Sequence, residues 1–206
     1  HDSINNRVAY DGNEVVINDV NQVLSANGRT YAYDHFGNLI SDSDASYSYD
    51  ALDRLTTIIK NEEKYRYIYD SQNRRISKQK YRKSADGWAL DAQINFIYQG
   101  NCEVGSFEDG ALTVFRALGA GLGAEIGAAF AIEWEGTFYS PTHDISGNVV
   151  ALVNAQSGKL AYSARYSAFG VVERSEGKPP PYQFSSKRLD PETGWIYFGR
   201  RYYDPT

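Results

Sequence analysis

The sequence has little of several residue types that often stabilise or equip a protein of this size. Its 206 residues include one cysteine, Cys102, and no methionine. A single cysteine excludes an intrachain disulfide, so the fold has to be stabilised by its core. Because Cys102 follows Asn101 in a predicted turn and no Cys–His arrangement lies nearby, we interpret it as a thiol with no catalytic role.

An excess of positive charge is also missing. The chain has 21 Lys and Arg against 26 Asp and Glu, which gives a net charge of −5. A nucleic-acid interface needs a clustered basic surface, so we expect no nucleic-acid partner. Arg74-Arg75 and the stretch from Lys78 to Lys83 form a local basic strand. We interpret it as the solvated face of a hairpin, with an anion or partner site as the alternative.

Long apolar runs are absent too. The run 117–132, ALGAGLGAEIGAAFAI, carries Glu125, and it is shorter than the roughly 20 residues that cross a bilayer. We therefore expect no membrane insertion. The sequence GAGLGA fits a phosphate-binding loop only loosely and has no βαβ context. Its glycines would weaken a helix, so we predict a Gly/Ala-rich loop in the middle of the chain.

Clusters of metal-binding residues are not evident. The three histidines, His1, His35 and His143, lie far apart in the sequence, and histidines in predicted loops are usually solvated. The turn aspartates lack the spacing of a calcium loop, and the DSD sequence at 42–44 is only a weak candidate. We therefore predict no metal, no cofactor and no catalytic residue.

Tyrosine, in contrast, is abundant, with 17 copies, and it recurs in a fixed context. Tyr-Asp pairs end at Asp11, Asp34, Asp50 and Asp70, with irregular spacing between them. A fixed motif at irregular intervals is typical of hairpins whose arms vary in length around one constant turn. The first copy, AYDGNEVV, has its glycine early and fits this pattern less well.

The residues of the motif suit a turn. An aspartate in first position accepts N–H bonds from the residues that follow it. Three positions later the chain needs a positive φ, which Gly37, Asp53 and Asn73 tolerate well. The same spacing recurs at Asp144 and Gly147, and the sequence YSAFGVV ends its turn at Gly170.

The segments between the turns alternate as strands do. In KYRYIY, the side chains of Tyr65, Tyr67 and Tyr69 share one face. Turn signals recur through the chain, so we predict an all-β fold, an antiparallel β-meander of hairpins. We place the hairpins in residues 1–116, a connecting Gly/Ala-rich segment in 117–136, and a third region in 137–206.

Several of these motifs together resemble the Rhs/YD-repeat family. YDHFGNLI and its copies resemble the YD repeat, whereas FYSPTHDISGNVVAL, ARYSAFGVV and RLDPETGWIYFGRRYYDP resemble parts of the Rhs-associated core. The resemblance extends from about residue 28 to 206. The chain departs from the family pattern at Ser185-Ser186, where a small residue and glycine are usual, and at Ala168, where proline is common.

The resemblance implies a fold and a role. Family repeats form a β-strip that spirals into a hollow shell, closed at one end by the Rhs core. In bacterial toxin members the shell holds a C-terminal effector, and related repeats occur in teneurins. We expect a secreted or cell-surface bacterial protein and a longer parent chain. The implied partners are its remaining repeats and an enclosed effector.

The residues of interest are therefore structural: the Tyr-Asp pairs, the turn closers and the core motif. They are Tyr33, Asp34, Gly37, Tyr49, Asp50, Asp53, Tyr69, Asp70, Asn73, Asp144, Gly147, Phe169, Gly170, Asp190, Pro191, Gly194, Arg201, Tyr202, Tyr203, Asp204 and Pro205. Asp190 and Glu192 could form a carboxylate pair, but DPETG also suits an ordinary turn, which we favour. In toxin members the carboxylates of autoproteolysis lie downstream of YYDP. We predict no enzymatic activity in this chain.

Two other functions remain open at this point. Exposed tyrosine rows could stack on sugars, or open strand edges could pair with another copy to make a fibre. A self-processing protease would cut beyond Thr206 in the parent chain. A shell requires the tyrosine rings to be buried or to face an enclosed lumen, whereas a glycan-binding module requires them to be exposed in a groove.

Overall fold

A computed structural model of the chain describes residues 9–10, 13–119 and 128–206. These residues form short and medium-length β-strands and one 3-10 helix, Phe184–Ser186. The strands are β1 (Ala9–Tyr10), β2 (Asn13–Glu14), β3 (Val16–Ile17), β4 (Val23–Ala26), β5 (Arg29–Thr30), β6 (Ala32–Tyr33), β7 (Leu39–Ser41), β8 (Ala45–Tyr49), β9 (Leu55–Lys60), β10 (Glu63–Tyr69), β11 (Arg75–Ser84), β12 (Gly87–Gln99), β13 (Cys102–Glu108), β14 (Ala111–Leu118), β15 (Ala129–Trp134), β16 (Thr137–His143), β17 (Val149–Asn154), β18 (Leu160–Tyr166), β19 (Val172–Gly177), β20 (Arg188–Asp190), β21 (Trp195–Tyr197) and β22 (Tyr202–Tyr203).

The strands join in sequence order. Strands β6 to β19 make one antiparallel sheet of 14 strands, and every strand lies beside its neighbours in sequence. The sheet does not close into a barrel. Three smaller sheets contain β1-β2, β3-β4-β5 and β20-β21-β22. Antiparallel neighbours need only a short turn between them, as the alternating pattern predicted. The predicted all-β antiparallel meander is therefore confirmed.

Seven turns in the described part of the chain, six that begin with Asp, Asn or Ser and one at 183–187 that begins with Gln, share one hydrogen-bond scaffold. In the six, we call this scaffold the YD turn. The N–H of its first residue donates to the carbonyl of the fifth, and the N–H of the fourth donates back to the first. In the turn at 34–38, Asp34 Oδ1 also accepts the N–H groups of Phe36, at 2.9 Å, and Asn38, at 2.8 Å. The six turns span residues 18–22, 34–38, 50–54, 70–74, 144–148 and 167–171.

The fourth residue of every YD turn has a positive φ. It is 89° at Gly37, 57° at Asp53 and 63° at Asn73, as the sequence predicted, and it is also positive at Gly147 and Gly170. The copy at 18–22 starts with an asparagine and lacks the Tyr-Asp pair, so the sequence search missed it. The copy at Asp11 lies outside the described residues, although β1 and β2 on either side of it pair with each other.

The chain divides into two compact units, of which unit 1 contains His1–Ile68 and Lys78–Ala92. Its core lies on one face of β8, β9 and β10. The fully buried Ile58 pairs across the strands with Tyr47 on one side and with Tyr65 on the other. Tyr47, Tyr65 and Tyr67 are all at most 7 % exposed, because every second residue of a strand faces the core.

Unit 2 contains Tyr69–Ser77 and Gln93–Thr206. Its core joins apolar side chains of β14 to β18 with Tyr182, which lies in the segment after β19. The buried members are Val114, Ala129, Ile132, Trp134, Val149, Leu152, Tyr162 and Tyr182. The N–H of Val149 donates to Gln183 O at 3.0 Å, so the segment that follows β19 is tied to the start of β17. Within 117–136, residues 120–127 lie outside the described part, between β14 and β15.

The YD turn leads to a first testable prediction, at Gly37. A Cβ at this position would meet only Gln22 Nε2, at 3.5 Å, so crowding is not the obstacle. Gly37→Ala should lower the free energy of unfolding by about 1 kcal/mol, because alanine resists the left-handed region. Gly37→Asn should cost clearly less, since Asn73 already has φ 63° in the equivalent turn.

Urea denaturation of the chain and both variants measures the difference. Equal losses for alanine and asparagine would contradict the assignment of a shared left-handed position.

Candidate functional site

The most unusual feature of unit 2 is a set of charged side chains in its interior. The buried arginine cluster, as we call it, consists of Arg75, Glu103, Arg116, Arg188 and Asp190. Arg75 and Asp190 are fully buried, and the other three are at most 9 % exposed. They come from β11, β13, β14 and β20. Charges are rarely placed inside a protein unless they are paired, so their contacts define what the cluster can do.

Arg75 and Asp190 form a two-pronged ion pair. Arg75 Nη1 donates to Asp190 Oδ2 at 2.5 Å, and Arg75 Nη2 donates to Asp190 Oδ1 at 3.1 Å. Arg75 begins β11 directly after the YD turn at 70–74, and Asp190 ends β20 and begins the DPETG turn. The planar fork of a guanidinium matches a carboxylate in this geometry, which fixes orientation as well as distance.

Aromatic rings enclose this ion pair. The guanidinium carbon of Arg75 lies 4.1 Å from the centroid of the Tyr197 ring and 4.8 Å from that of Phe96. Arg75 Nη1 also donates to the hydroxyl of Tyr202 at 3.3 Å. The Tyr202 hydroxyl lies 3.1 Å from that of Tyr69. Burial raises the pKa of Tyr197 and of Tyr202 well above the ordinary value. Both phenols therefore stay neutral and serve as hydrogen-bonding groups.

The second buried pair joins Arg188 to Glu103. Arg188 Nε donates to Glu103 Oε1 at 2.5 Å, and the Tyr182 hydroxyl donates to the same oxygen at 2.7 Å. Arg188 Nη2 donates to Ser106 Oγ at 3.1 Å. Burial alone would lower the pKa of Arg188, but the Glu103 carboxylate outweighs it and raises that pKa. Arg188 is therefore held as a cation.

Arg116 connects the cluster to the 3-10 helix. Its Nη1 donates to Ser186 O at 2.8 Å, its Nη2 donates to the main-chain carbonyl of Glu103, and its guanidinium lies 3.6 Å from the centroid of the Tyr182 ring. Burial lowers the pKa of Arg116. Main-chain carbonyls thus hold this third cation while Arg188 holds the Glu103 carboxylate.

The helix that Arg116 contacts has a strained backbone. Ser185 and Ser186 have φ of 49° and 53°, in the left-handed region that glycine adopts without cost. Ser186 Oγ donates to Gly147 O, and the Ser185 N–H donates to Asn148 Oδ1, both at 2.8 Å. The family usually has a small residue and glycine where this chain has Ser185-Ser186. The two serines therefore adopt a backbone conformation that their side chains disfavour.

The geometry of the cluster suits a clamp. The bonds described here direct both carboxylates towards arginines and leave them little freedom to act as an acid or a base. Removing one member would leave an uncompensated charge in a buried site. The cluster thus fastens Arg188 and Asp190, at the start of the RLDPETGWIYFGRRYYDP motif, to strands β11 and β13.

The remaining residues of the C-terminal motif lie around this clamp. Gly194 has φ of 77° and closes the DPETG turn, in which its N–H donates to Asp190 O at 2.9 Å. Tyr203 stacks on Phe184 at 5.9 Å between centroids, and its hydroxyl donates to Phe169 O at 2.7 Å. Of the residues predicted in this motif, Pro191, Gly194, Arg201 and Asp204 are exposed and Pro205 is half-buried.

The Tyr-Asp pairs have mixed environments. Tyr33 is half-buried and its hydroxyl donates to Val23 O at 2.9 Å, and Tyr49 is also half-buried. Asp50 and Asp70 each accept a side-chain bond from the arginine four residues later, at 2.7 Å. The pKa of Asp70 lies below its ordinary value, and the largest cause is the hydrogen bond that its carboxylate accepts from the main-chain N–H of Arg74.

Sequence reasoning missed most of the cluster. The interpretation of the basic strand as a solvated face is wrong at Arg75, which is fully buried, and at Lys78, which is 7 % exposed. One signal was available: Arg116 stands two residues after the buried Val114 in β14, so strand alternation places it on the core face. The expectation of a solvated His143 is also wrong, because it ends β16 half-buried and burial lowers its pKa.

The described residues contain neither a cluster of metal ligands nor a membrane-spanning helix. No group of three or more His, Cys, Asp or Glu side chains there could hold a metal ion. No helix within those ranges is long and apolar enough to cross a membrane.

The buried pair gives a second prediction. Asp190→Ala should lower the free energy of unfolding by about 3–5 kcal/mol, because it leaves the Arg75 charge without its carboxylate. The control is Glu176→Ala, which removes the exposed pair with Arg174 and should cost less than about 1 kcal/mol. Urea denaturation monitored by tryptophan fluorescence compares the two. A loss at Asp190 as small as that at Glu176 would contradict the clamp.

The strained helix gives a third prediction. Ser185→Gly should raise the free energy of unfolding by about 1 kcal/mol, because glycine removes the left-handed strain and keeps the N–H bond to Asn148. Ser185→Ala retains the strain and should change stability little. Thermal unfolding of the three proteins checks this. A glycine variant no more stable than the alanine variant would contradict the strain.

The chain has relatives of known sequence. It is 27 % identical over 195 residues to a protein of Bacillus spizizenii described as tRNA3(Ser)-specific nuclease WapA. It is 26 % identical to the tRNA nuclease WapA of Bacillus subtilis. Each alignment covers 91 % of this chain and 8 % of the relative, so the chain spans a small part of these proteins.

Solved structures share the fold. The crystal structure of TcdB2-TccC3-Cdc42 matches with a TM-score of 0.60 and 15 % identity, over 94 % of this chain and 14 % of that one. TcdB2-TccC3-TEV matches with a TM-score of 0.59 over the same shares. At this identity the likeness concerns the fold alone.

The family model described as Teneurin YD-shell matches residues 1–206. The YD turns, the continuous antiparallel sheet and the C-terminal motif fastened by the buried arginine cluster agree with that match. The chain belongs to the Teneurin YD-shell family.

Proposed function

We propose that this chain is a wall segment of a shell that encloses a polypeptide of its parent chain, and that its own role is structural. The observation that carries the proposal is the clamp. Two buried ion pairs hold the C-terminal motif against strands β11 and β13. A motif held by paired charges in a buried site stays in one orientation, which is what the closed end of a container requires.

The burial of the tyrosine rings supports the proposed role as a wall segment. Tyr47, Tyr65 and Tyr67 are at most 7 % exposed, and Tyr162 and Tyr182 are each 1 % exposed. Rings buried in this way stabilise a sheet and leave no tyrosine row for a sugar to stack on at these positions. The observation favours a shell over a glycan-binding module built on the tyrosine repeats.

The proposal includes several elements that come from relatives. The enclosed polypeptide would be a C-terminal effector of the parent chain, as the nuclease names of the WapA relatives suggest. The protein would be secreted or exposed at a bacterial cell surface. The partners of this chain would be the remaining repeats of its parent, and catalysis would belong to the effector.

One observation favours a second candidate, self-association. Among the described strands, β19 ends the large sheet, pairs with β18 alone and has all six residues exposed. A free strand edge can pair with another strand. Its charged residues Glu173, Arg174 and Glu176 oppose close pairing with an identical copy, because antiparallel partners would place glutamates opposite each other. We therefore rank a fibre below the shell.

The fourth prediction tests enclosure in the full parent protein, by intact mass, terminal sequencing and limited proteolysis. We expect a separate C-terminal polypeptide that begins after the core motif, co-purifies with this region and resists protease until the shell is denatured. In an Asp190→Ala parent, that polypeptide should become sensitive to protease at lower denaturant concentration.

Glu176→Ala in the parent serves as the control and should protect the polypeptide as the natural protein does. A polypeptide that is digested equally fast with and without the shell would contradict enclosure. Light scattering that shows concentration-dependent growth would favour the self-associating alternative.

A further inference from the structure

We propose that unit 2 binds a partner polypeptide that inserts a basic side chain between two exposed phenylalanine rings. The site lies on the face of the large sheet that is opposite the core of unit 2. We call it the Glu133 face, and its residues are Ile97, Phe107, Phe115, Glu133 and Phe138. The proposal is independent of the function proposed above.

Strand alternation and register define the Glu133 face. Val114 and Ile132 are buried in the core, so Phe115 and Glu133, which directly follow them, point to the other side of the sheet. Phe115 pairs with Glu133 across β14 and β15, and Glu133 pairs with Phe138 across β15 and β16. Neighbouring strands lie about 4.8 Å apart. Glu133 therefore stands in one row between the two phenylalanines.

The row is apolar on both sides of Glu133. Phe115 is 41 % exposed and Phe138 is 59 % exposed, so both rings are accessible. Beyond Phe115 the row continues through Gly105 of β13 to Ile97 of β12. Ile97 Cδ1 lies 3.4 Å from the place that a Cβ of Gly105 would occupy, so the isoleucine covers the glycine. The apolar surface is therefore continuous from Ile97 to Phe115.

Glu133 is an acid without a partner in this apolar row. It is half-buried, and its side chain forms no ion pair or hydrogen bond with any described residue. The nearby Glu135 pairs with Lys178 at 2.6 Å, so the same hairpin contains a carboxylate that is satisfied. Partial burial of a charge without a partner costs free energy. A cation brought by a second molecule would recover that cost.

The surroundings of the carboxylate suit a guanidinium or an ammonium group. A cation is attracted by the face of an aromatic ring as well as by an opposite charge. Within this chain, Arg75 and Arg116 already lie against tyrosine rings. Two phenylalanines beside one carboxylate offer a partner's cation both interactions. A nucleic acid or an anionic lipid would instead bring phosphates against Glu133, which the like charge opposes.

The size of the face favours a polypeptide over a small free cation. From Ile97 to Phe138 the row crosses β12 to β16, which is about 19 Å at the usual strand spacing. Phe107 extends the apolar surface along β13 and is 38 % exposed. A small cation would cover only the centre of this surface. A polypeptide can place apolar side chains on the rings while its basic side chain reaches Glu133.

Nuclear magnetic resonance titration of the 206-residue chain with short peptides tests this proposal. The probe is acetyl-Leu-Ser-Arg-Ser-Leu-amide, whose two leucines and arginine share one side of an extended chain. We expect it to shift the amide signals of β14, β15 and β16. Citrulline in place of arginine removes the charge, and the order Leu-Arg-Ser-Ser-Leu turns the arginine to the other side. Both of these peptides should bind about tenfold more weakly.

Variants of the chain have matched controls. Glu133→Gln and Phe138→Ala should each weaken binding of the probe peptide by about tenfold. Glu62→Gln neutralises an exposed acid of unit 1, and Phe36→Ala removes a ring that is 71 % exposed. Both control variants should bind the probe as the natural chain does. Circular dichroism of each variant confirms that the fold is kept.

Several outcomes would overturn the proposal. Signals that do not move with the probe, equal binding of the arginine and citrulline peptides, or undiminished binding by Glu133→Gln would each contradict a cation site. Tetramethylammonium that binds as tightly as the probe would replace the polypeptide with a small organic cation. Sedimentation of the chain with phosphatidylcholine vesicles that is lost in Phe138→Ala would assign the face to a lipid surface.

Discussion

The contact between Arg75 and Asp190 is the constraint on which the organisation of unit 2 depends. Both side chains are fully buried, so each can remain charged only while the other is in place. The pair spans 115 residues of sequence and joins the start of β11 to the end of β20. Since Arg188 in the same strand pairs with Glu103 of β13, strand β20 is fixed at two points. Ion pairs with this geometry allow one docking register, whereas apolar contacts alone tolerate several.

The YD turn is a second, local constraint. It tolerates several residue types at its first and fourth positions, which explains why the repeat is irregular in sequence. An oxygen acceptor in first position and a residue that accepts positive φ in fourth position are enough. Aspartate, asparagine or serine therefore starts the turn, as at Asp34, Asn18 and Ser167. The tyrosine before the aspartate is half-buried at Tyr33, Tyr49 and Tyr69. It is dispensable for the turn itself, because the turn at 144–148 has a histidine in its place. Because only the turn is fixed, strands between turns range from two to 13 residues.

Much of the fold followed from the sequence because its determinants are local. Alternation predicted the strands, and the Asp-x-x-Gly spacing predicted the positive φ of Gly37, Asp53, Asn73 and Gly147. At Gly170 the sequence predicted only the end of a turn. The cluster could not be predicted in the same way, because the partner of a charged residue lies far along the chain. In the sequence, Arg75 is one of several basic residues in a strand. Only the structure shows that Asp190 of β20 lies against it. For Arg116, the alternation of β14 was the one available signal, because Arg116 lies two residues after the buried Val114.

The most direct test of the clamp is native-state amide hydrogen exchange of unit 2. The account predicts that amides of β20 and β21 exchange as slowly as those of β13 and β14, because the ion pairs make them part of one cooperative unit. In Asp190→Ala, exchange of β20 and β21 should accelerate before that of the sheet. Rapid exchange of β20 and β21 in the natural chain, with β13 and β14 still protected, would show that the motif detaches freely and would contradict the account.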